Sequence, residues 1–268
     1  MSFFNDKVVV VTGGSDGIGR ALIDALIPLG AKIATCARNY DKLYNLQLEY
    51  PSVLLHTMAC DVSNESDCKR FIESVIEVFG HIDILINNAG ISMRSLFNDV
   101  DVDVMKRVMD VNFFGAVYCT KYSLPSILKT KGTVVGISST AGSRGLPGRS
   151  GYSASKFALQ GWLEALRSEM THSGVNIMWV SPGFTASNIR NSALNEKGEV
   201  QGESPLDETK LMSAEECALY IIKAIEKRKR TLILTSSGKL AVFMNKFFPS
   251  WSDKLMYNHF FKNKKLIK

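Results

Sequence analysis

The sequence predicts an α/β protein, a doubly wound sandwich of three layers with a seven-stranded parallel sheet between two layers of helices. Short apolar, partly β-branched runs alternate with longer stretches of helical periodicity through most of the 268 residues. The runs show little inside–outside alternation, so each needs cover on both faces, which a parallel sheet receives from its crossover helices. Glycines follow the first run at Gly13, Gly17 and Gly19, where a strand would turn tightly into a helix.

Taken in order, KVVVV at 7–11 is the first strand, and 17–29 carries apolar positions at helical spacing. KIATC at 32–36 and VLLHTM at 53–58 are the next strands, separated by a helix over 40–49. The segment 67–79 reads as a helix and IDILI at 82–86 as the fourth strand. A long helix is expected over 101–128, then GTVVGIS at 132–138, a helix over 150–170, and VNIMWV at 175–180. From 183 to 212 the periodicity fades into a polar stretch containing Gly198, Gly202 and Pro205, and a loop this long inside a domain is commonly a lid or binding segment. Helical character returns at 213–227, with Ser213 as N-cap and Glu216 three residues on, and TLILT at 231–235 is the last strand. One domain over 1–268 accounts for the chain, with a lid at 184–212 and a C-terminal extension at 237–268.

Hydrophobic residues at 46% and charged residues at 22% suit a packed core rather than disorder. MSFFNDKVVVV has no basic region leading into an apolar segment and cleavage site, so no secretory signal is expected. No run approaches the roughly 18 apolar residues that span a bilayer. Cys36, Cys60, Cys68, Cys119 and Cys217 are odd in number and lack a CxxC pair, which reads as free thiols in a reducing compartment, with no metal site. A cytoplasmic location is therefore expected. The charge of +6 is concentrated in EKRKR at 226–230 and KNKKLIK at 262–268, with no zinc-finger spacing or heptad-linked basic region, so nucleic-acid binding is not expected.

The glycine turn sits where a helix N-terminus would present N–H groups to a pyrophosphate, although its spacing is not GxGxxG and a structural turn is the alternative. The second strand ends in CAR at 36–38, where Arg38 can contact a 2′-phosphate and so favours NADP(H) over NAD(H). Asp16 in the turn argues the other way by repelling that phosphate. Asp61 can hydrogen-bond adenine or cap the helix that follows from 64, and NNAG at 87–90 places short side chains at the ligand edge of strand four. Tyr152 and Lys156, spaced i and i+4, share a helix face. An ammonium beside a phenol, whose free pKa is about 10, would favour the phenolate and equip the pair for acid–base chemistry on an alcohol or ketone. YxxxK alone is a common pattern; GISSTAG at 136–142, with Ser138 and Ser139 ending strand five just ahead of it, gives it weight.

With TGGSDGIG at 12–19, DV at 61–62, NNAG at 87–90, Asn112 in DVNFFG, Ser139 in SST, YSASK at 152–156 and PG at 182–183, in that order, the chain resembles the short-chain dehydrogenase/reductase family. NNAGISMRSLFNDVDVDVMKRVMDVNFFG and the late LAVFMNKFFPSW are similar to its subgroup of members 7 and 7B, neighbours of the 11-beta-hydroxysteroid dehydrogenases. The resemblance implies a Rossmann-type NAD(P)-binding domain and direct hydride transfer without a metal. It implies that Tyr152 is general acid in reduction and base in oxidation, and that Ser139, thirteen residues earlier, orients the substrate oxygen. Lys156 would lower the tyrosine pKa and hold the nicotinamide ribose, and Asn112 would retain a relay water. Cofactor contacts are implied at Gly13, Ser15, Gly17, Ile18 and Gly19, at Arg38, Asp61 and Val62, and at Asn88, Ala89 and Gly90. Tyr152, Lys156, Pro182, Gly183 and Thr185 complete that set.

The resemblance further implies a lipophilic small-molecule substrate and a homodimer or homotetramer. Bulky apolar residues mixed with lysines over 237–262 leave three fates open: packing on the chain's own domain, burial against a partner subunit, or weak peripheral contact with an anionic membrane. Two rival functions stay open, a non-catalytic nucleotide-binding redox sensor or scaffold, and a same-family enzyme that uses NAD or runs redox-neutral chemistry.

Overall fold

Each apolar run becomes a strand because its residues are divided between two cores. In the computed structural model, which describes all residues but Ser52, Pro205, Lys264 and Lys268 and the side chain of Glu208, the first strand is β1 (Val8–Thr12). Pro205 of the polar segment and two lysines of the terminal basic run thus lie outside the described residues. Val9 and Val11 of β1 point into one apolar cluster, Val8 and Val10 into the other, and all four are fully buried. An uninterrupted run of β-branched residues is what two covered faces require. At about 1.5–3 kcal/mol per fully buried aliphatic side chain, this strand alone is a large stabilising element.

The remaining strands are β2 (Lys32–Ala37), β3 (Leu55–Ala59), β4 (Ile84–Asn87), β5 (Thr133–Ile137), β6 (Asn176–Ser181) and β7 (Thr231–Ile233). They form one seven-stranded sheet in the order β3-β2-β1-β4-β5-β6-β7, every pair parallel, as expected. Helices α1 (Gly17–Leu26), α2 (Tyr40–Glu49) and α3 (Glu65–Phe79) follow the first three strands. Next come α4 (Val102–Met109), α5 (Gly115–Thr130), α6 (Ser150–Glu169) and α7 (Ala214–Glu226). Leu22 of α1 and Ile221 of α7 cover one face; Phe71 of α3, Cys119 of α5 and Leu163 of α6 cover the other. β1 lies between β2 and β4, so the winding reverses there and opens a crevice at the carboxyl ends of β1 and β4.

Three element boundaries differ from expectation for identifiable reasons. The helix expected over 17–29 stops at Leu26, because Pro28 tightens the chain into a 3-10 turn ending at Gly30, whose φ is 84°. α3 starts at Glu65, capped by Asn64 accepting from the Asp67 N–H, so Asp61 is not the cap. The long helix over 101–128 is split into α4 and α5 by one π-helical turn, Asp110–Phe114. Ser213 caps α7 as expected, its hydroxyl accepting from the Glu216 N–H at 3.1 Å.

The polar segment after β6 is pinned at both ends. The Leu194 N–H donates to the Ser92 carbonyl and the Arg94 N–H to the Leu194 carbonyl, while the Ala186 N–H donates to the Met212 carbonyl. The C-terminal residues form α8 (Ser236–Phe247), α9 (Pro249–Phe260) and a short hairpin, Pro249 standing in the first turn of α9 where its missing N–H is harmless. One face of this extension packs on the 143–149 loop: Arg144 donates to Asn245 at 2.7 Å and pairs with Asp253 at 2.6 Å, and Phe260 is buried. The opposite face leaves Leu240, Phe243, Phe247 and Trp251 exposed. Among the described residues no helix is long and apolar enough to cross a membrane.

Candidate active site

The carboxyl ends of β1, β2, β4, β5 and β6 converge on a cavity of about 450 Å³. Its floor begins at the glycine turn. Gly13 takes φ +70° and lies so close to β4 that a Cβ there would sit 2.9 Å from the Ala89 Cα. A Cβ on Gly19 would collide with the Gly13 carbonyl. Thr12 ties the two strand ends together, its hydroxyl accepting from the N–H groups of Asn88 and Ala89, each at 3.0 Å. Only glycines let the backbone pass this closely, and they bring the N-terminus of α1 to the cavity wall, where the Asp16 side chain caps the Gly17 N–H at 2.8 Å. The cradle fits a dinucleotide: N–H donors and the positive end of a helix for its phosphates, small residues for close approach.

At the far end Arg38 and Lys42 line the cavity with Asp16 and Asp61. Burial tends to push the Asp16 carboxyl up, but Lys42, the Gly17 N–H and Asn188 together hold it below the usual carboxylate range. The Lys42 ammonium lies 2.6 Å from it. Asp16 is thereby compensated, and the repulsion its position suggested is largely cancelled. Asp61 accepts from the Ser63 N–H and hydroxyl, a turn contact that still leaves it on the cavity wall.

The chemistry-bearing side chains come from β5 and α6. Ser139 follows β5 in extended backbone, its hydroxyl accepting from the Ala141 N–H at 3.1 Å, and it lies near enough to Tyr152 to favour the phenolate. Ser138, its neighbour, is buried and accepts from Gln160 Nε2 at 2.8 Å. Tyr152, in the first turn of α6, packs against the small cluster of Met93, Val104, Val108 and Leu194. Lys156 follows one turn later, almost wholly buried, and donates to the Ile137 carbonyl at 2.9 Å.

The expected electrostatics of the pair is corrected here. Burial pushes the Tyr152 phenol above its ordinary pKa, against a hydrogen bond with Ser139 and the charges of Arg149 and Arg190. Lys156 is itself pushed down to about 8 by burial. Its ammonium stands 5.7 Å from the Tyr152 ring centroid and is engaged by a carbonyl. The spacing correctly places the two groups together, but desolvation dominates both, and the charges that act on the phenol are those of Arg149 and Arg190.

Residues 7–198 match the family model of the short chain dehydrogenase. The chain belongs to the short-chain dehydrogenase family. It is 33% identical to dehydrogenase/reductase SDR family member 7B of Mus musculus over 98% of its own length and 84% of the relative's. An SDR family protein 7-like relative in Anopheles gambiae is 34% identical over 89% and 78%. Two solved structures share the fold. One is a Burkholderia phymatum short chain dehydrogenase/reductase in complex with NAD (TM-score 0.81, 22% identity, 94% and 96% of the two chains). The other is a Thermococcus sibiricus alcohol dehydrogenase complexed with 5-hydroxy-NADP (TM-score 0.76, 24% identity, 86% and 96%).

In this short-chain dehydrogenase the predicted residues Gly13, Ser15, Gly17, Ile18, Arg38, Asp61, Val62, Asn88, Ala89 and Gly90 all reach the cavity. So do Ser139, Tyr152, Lys156, Pro182, Gly183 and Thr185. Gly19 and Asn112 stand behind it. Asn112 lies in the π-helical turn, a distortion frequent at functional sites. It accepts from the Ile91 N–H at 2.8 Å and donates to the Ile91 carbonyl and the Ser155 hydroxyl, each at 2.9 Å. Ser155 in turn donates to the Tyr152 carbonyl at 2.7 Å.

No other side chain of that size offers this set of one acceptor and two donors. Asn112→Leu should leave both Ile91 groups unsatisfied, a loss of about 2–5 kcal/mol and, for a chain of this size, roughly 5–15 °C in melting temperature. Asn112→Asp, which keeps only the acceptor, should fall between. An unchanged thermal unfolding curve for Asn112→Leu would mean that Asn112 does not hold Ile91.

Lys42, Arg149 and Arg190 line the cavity and were missed by motif reading. Lys42 had one available signal, its position one helical turn beyond Arg38 in the second βα unit.

Proposed function

We propose that this oxidoreductase uses NADP(H) to interconvert a carbonyl and a secondary alcohol on a lipophilic small molecule, with Tyr152 as general acid and base. One observation carries the reading: Tyr152 and Ser139, near enough for the serine to favour the phenolate, stand together on the wall of the same cavity that the glycine turn opens into. A carbonyl oxygen placed between two hydroxyls is both oriented and polarised. When bound, the reduced nicotinamide supplies a hydride to the carbonyl carbon. The oxygen then takes the Tyr152 proton, which leaves a phenolate beside Ser139, Arg149 and Arg190. A phenol held above its ordinary pKa keeps its proton at neutral pH and so is available as the acid of the reductive step.

Lys156 would hold the nicotinamide ribose, and Pro182, Gly183 and Thr185 would border the ring. The NADP(H) reading is supported by Arg38 at the end of the cavity reached from β2, with the nearby Asp16 carboxylate compensated by Lys42. A guanidinium suits a phosphate monoester there.

The test is reduction of a panel of aryl and alkyl ketones with NADPH and NADH, following loss of the reduced cofactor. Arg38→Asp should weaken NADPH binding by roughly 10–100-fold and NADH binding only slightly, the loss of a charge-assisted contact plus a new repulsion. Equal effects on both cofactors would sink the phosphate contact. No consumption of either cofactor across the panel would sink the ketone-reducing reading.

A further inference from the structure

Arg149 is the N-cap residue of α6, three positions before Tyr152, and is only 8% exposed. It lines the cavity wall that also carries Tyr152 and Ser139. A guanidinium keeps its charge inside a protein, so burial normally demands a carboxylate beside it. Among the described residues none is paired with Arg149. Its guanidinium rests over the ring of Phe260, at 5.7 Å, brought there by the C-terminal extension. Burial pushes its pKa down, and the nearby Arg94 and Arg190 push the same way.

Among the described residues, Arg149 and Lys156 line this end of the cavity with serines, threonines and apolar side chains, whereas the acidic lining residues, Asp16 and Asp61, belong to the glycine turn and the segment after β3. Arg94 already has Glu203 at 2.9 Å, and Arg190 donates to the Thr185 carbonyl at 2.6 Å. Lys156 lies one turn after Tyr152 and is anchored on the Ile137 carbonyl. Arg149 lies on the other side of Tyr152 along the helix. A planar fork of donors there matches a carboxylate or a phosphate.

We infer that the substrate carries an anionic group, a carboxylate or a phosphate monoester, which binds Arg149 while the carbonyl meets Tyr152 and Ser139. This rests on the oxidoreductase reading above and narrows its substrate class to amphiphilic carbonyl compounds.

The test uses three aryl ketones alike but for the far end: benzoylpropionate, its methyl ester, and a phosphate monoester of the matching keto alcohol, each reduced with NADPH by the full chain. One of the anions should exceed the ester in kcat/KM by about tenfold or more, as expected for a charge-assisted bidentate contact, and the better one names the group. Arg149→Gln should bring that ratio close to one, and Arg149→Lys should keep part of it. An ester reduced as well as both anions, or an Arg149→Gln variant whose ratio is unchanged, overturns the inference.

Binding of benzoate against benzamide to the NADPH complex separates the two readings. If none of the ketones is reduced but benzoate binds more tightly in a way that Arg149→Gln removes, the anion site stands and the redox reading falls. If ketones are reduced with no preference for charge, the reverse holds.

Discussion

Tyr152→Phe is expected to lower kcat for carbonyl reduction by roughly two to four orders of magnitude, the range a positioned acid supplies. The substitution removes one oxygen and little else. The ring remains against Met93, Val104, Val108 and Leu194, and Lys156 remains beside its face. NADPH should therefore still bind, and fluorescence titration of the variant should return a dissociation constant within a few-fold of the parent's. The pH dependence has a sign of its own. Because burial raises the phenol pKa, the acid form persists through the neutral range, so the reductive rate should be flat there. The oxidative rate, which needs the phenolate, should climb as pH rises. Undiminished turnover in Tyr152→Phe would remove Tyr152 from the chemistry, and loss of cofactor binding with it would point to a structural role.

The layers of the molecule were legible in its sequence because burial on both faces leaves a pattern that local reading can detect. VVVVT at β1 and the glycines behind it are such a pattern, and the strand order places Tyr152, Ser139 and the glycine turn at one edge. What was not legible depends on partners far along the chain. Arg149 in SRGLPGRSG reads as a solvated loop cation, and only the docking of α9, with Phe260 beneath it, turns it into a buried one. The split of the expected 101–128 helix depends on Asn112 reaching across to Ile91, which periodicity does not encode. Asp16 looked hostile to a phosphate until Lys42 was found beside it. The sign of the Tyr152 shift failed for a related reason: spacing along a helix reports which groups meet, but how much water they lose is settled by the whole fold.

Lys156→Met should move activity and stability in opposite directions. An ammonium whose pKa falls from 10.5 to about 8 on folding disfavours the folded state at neutral pH by about 3 kcal/mol, as an order of magnitude. Methionine has similar length and no charge, so that penalty disappears. The Ile137 carbonyl loses its donor, which returns about 1–3 kcal/mol of it. At pH 7 the variant should be as stable as the parent or more so, while turnover falls by roughly 100-fold or more with the loss of a positioned group.

The pH window follows from the two pKa values. Between about 8 and 10.5 the unfolded parent binds a proton that the folded parent has released, so the parent's stability rises with pH across that range and the variant's does not. Below it the difference between them is constant, and above it the penalty is gone. Urea unfolding of both proteins at neutral pH and through the alkaline window would measure this directly. A stability difference that stays level through the window would mean the folded Lys156 is not depressed. The expected slope would mean that the fold sustains a destabilising charge beside Tyr152, which suits a residue retained for its function.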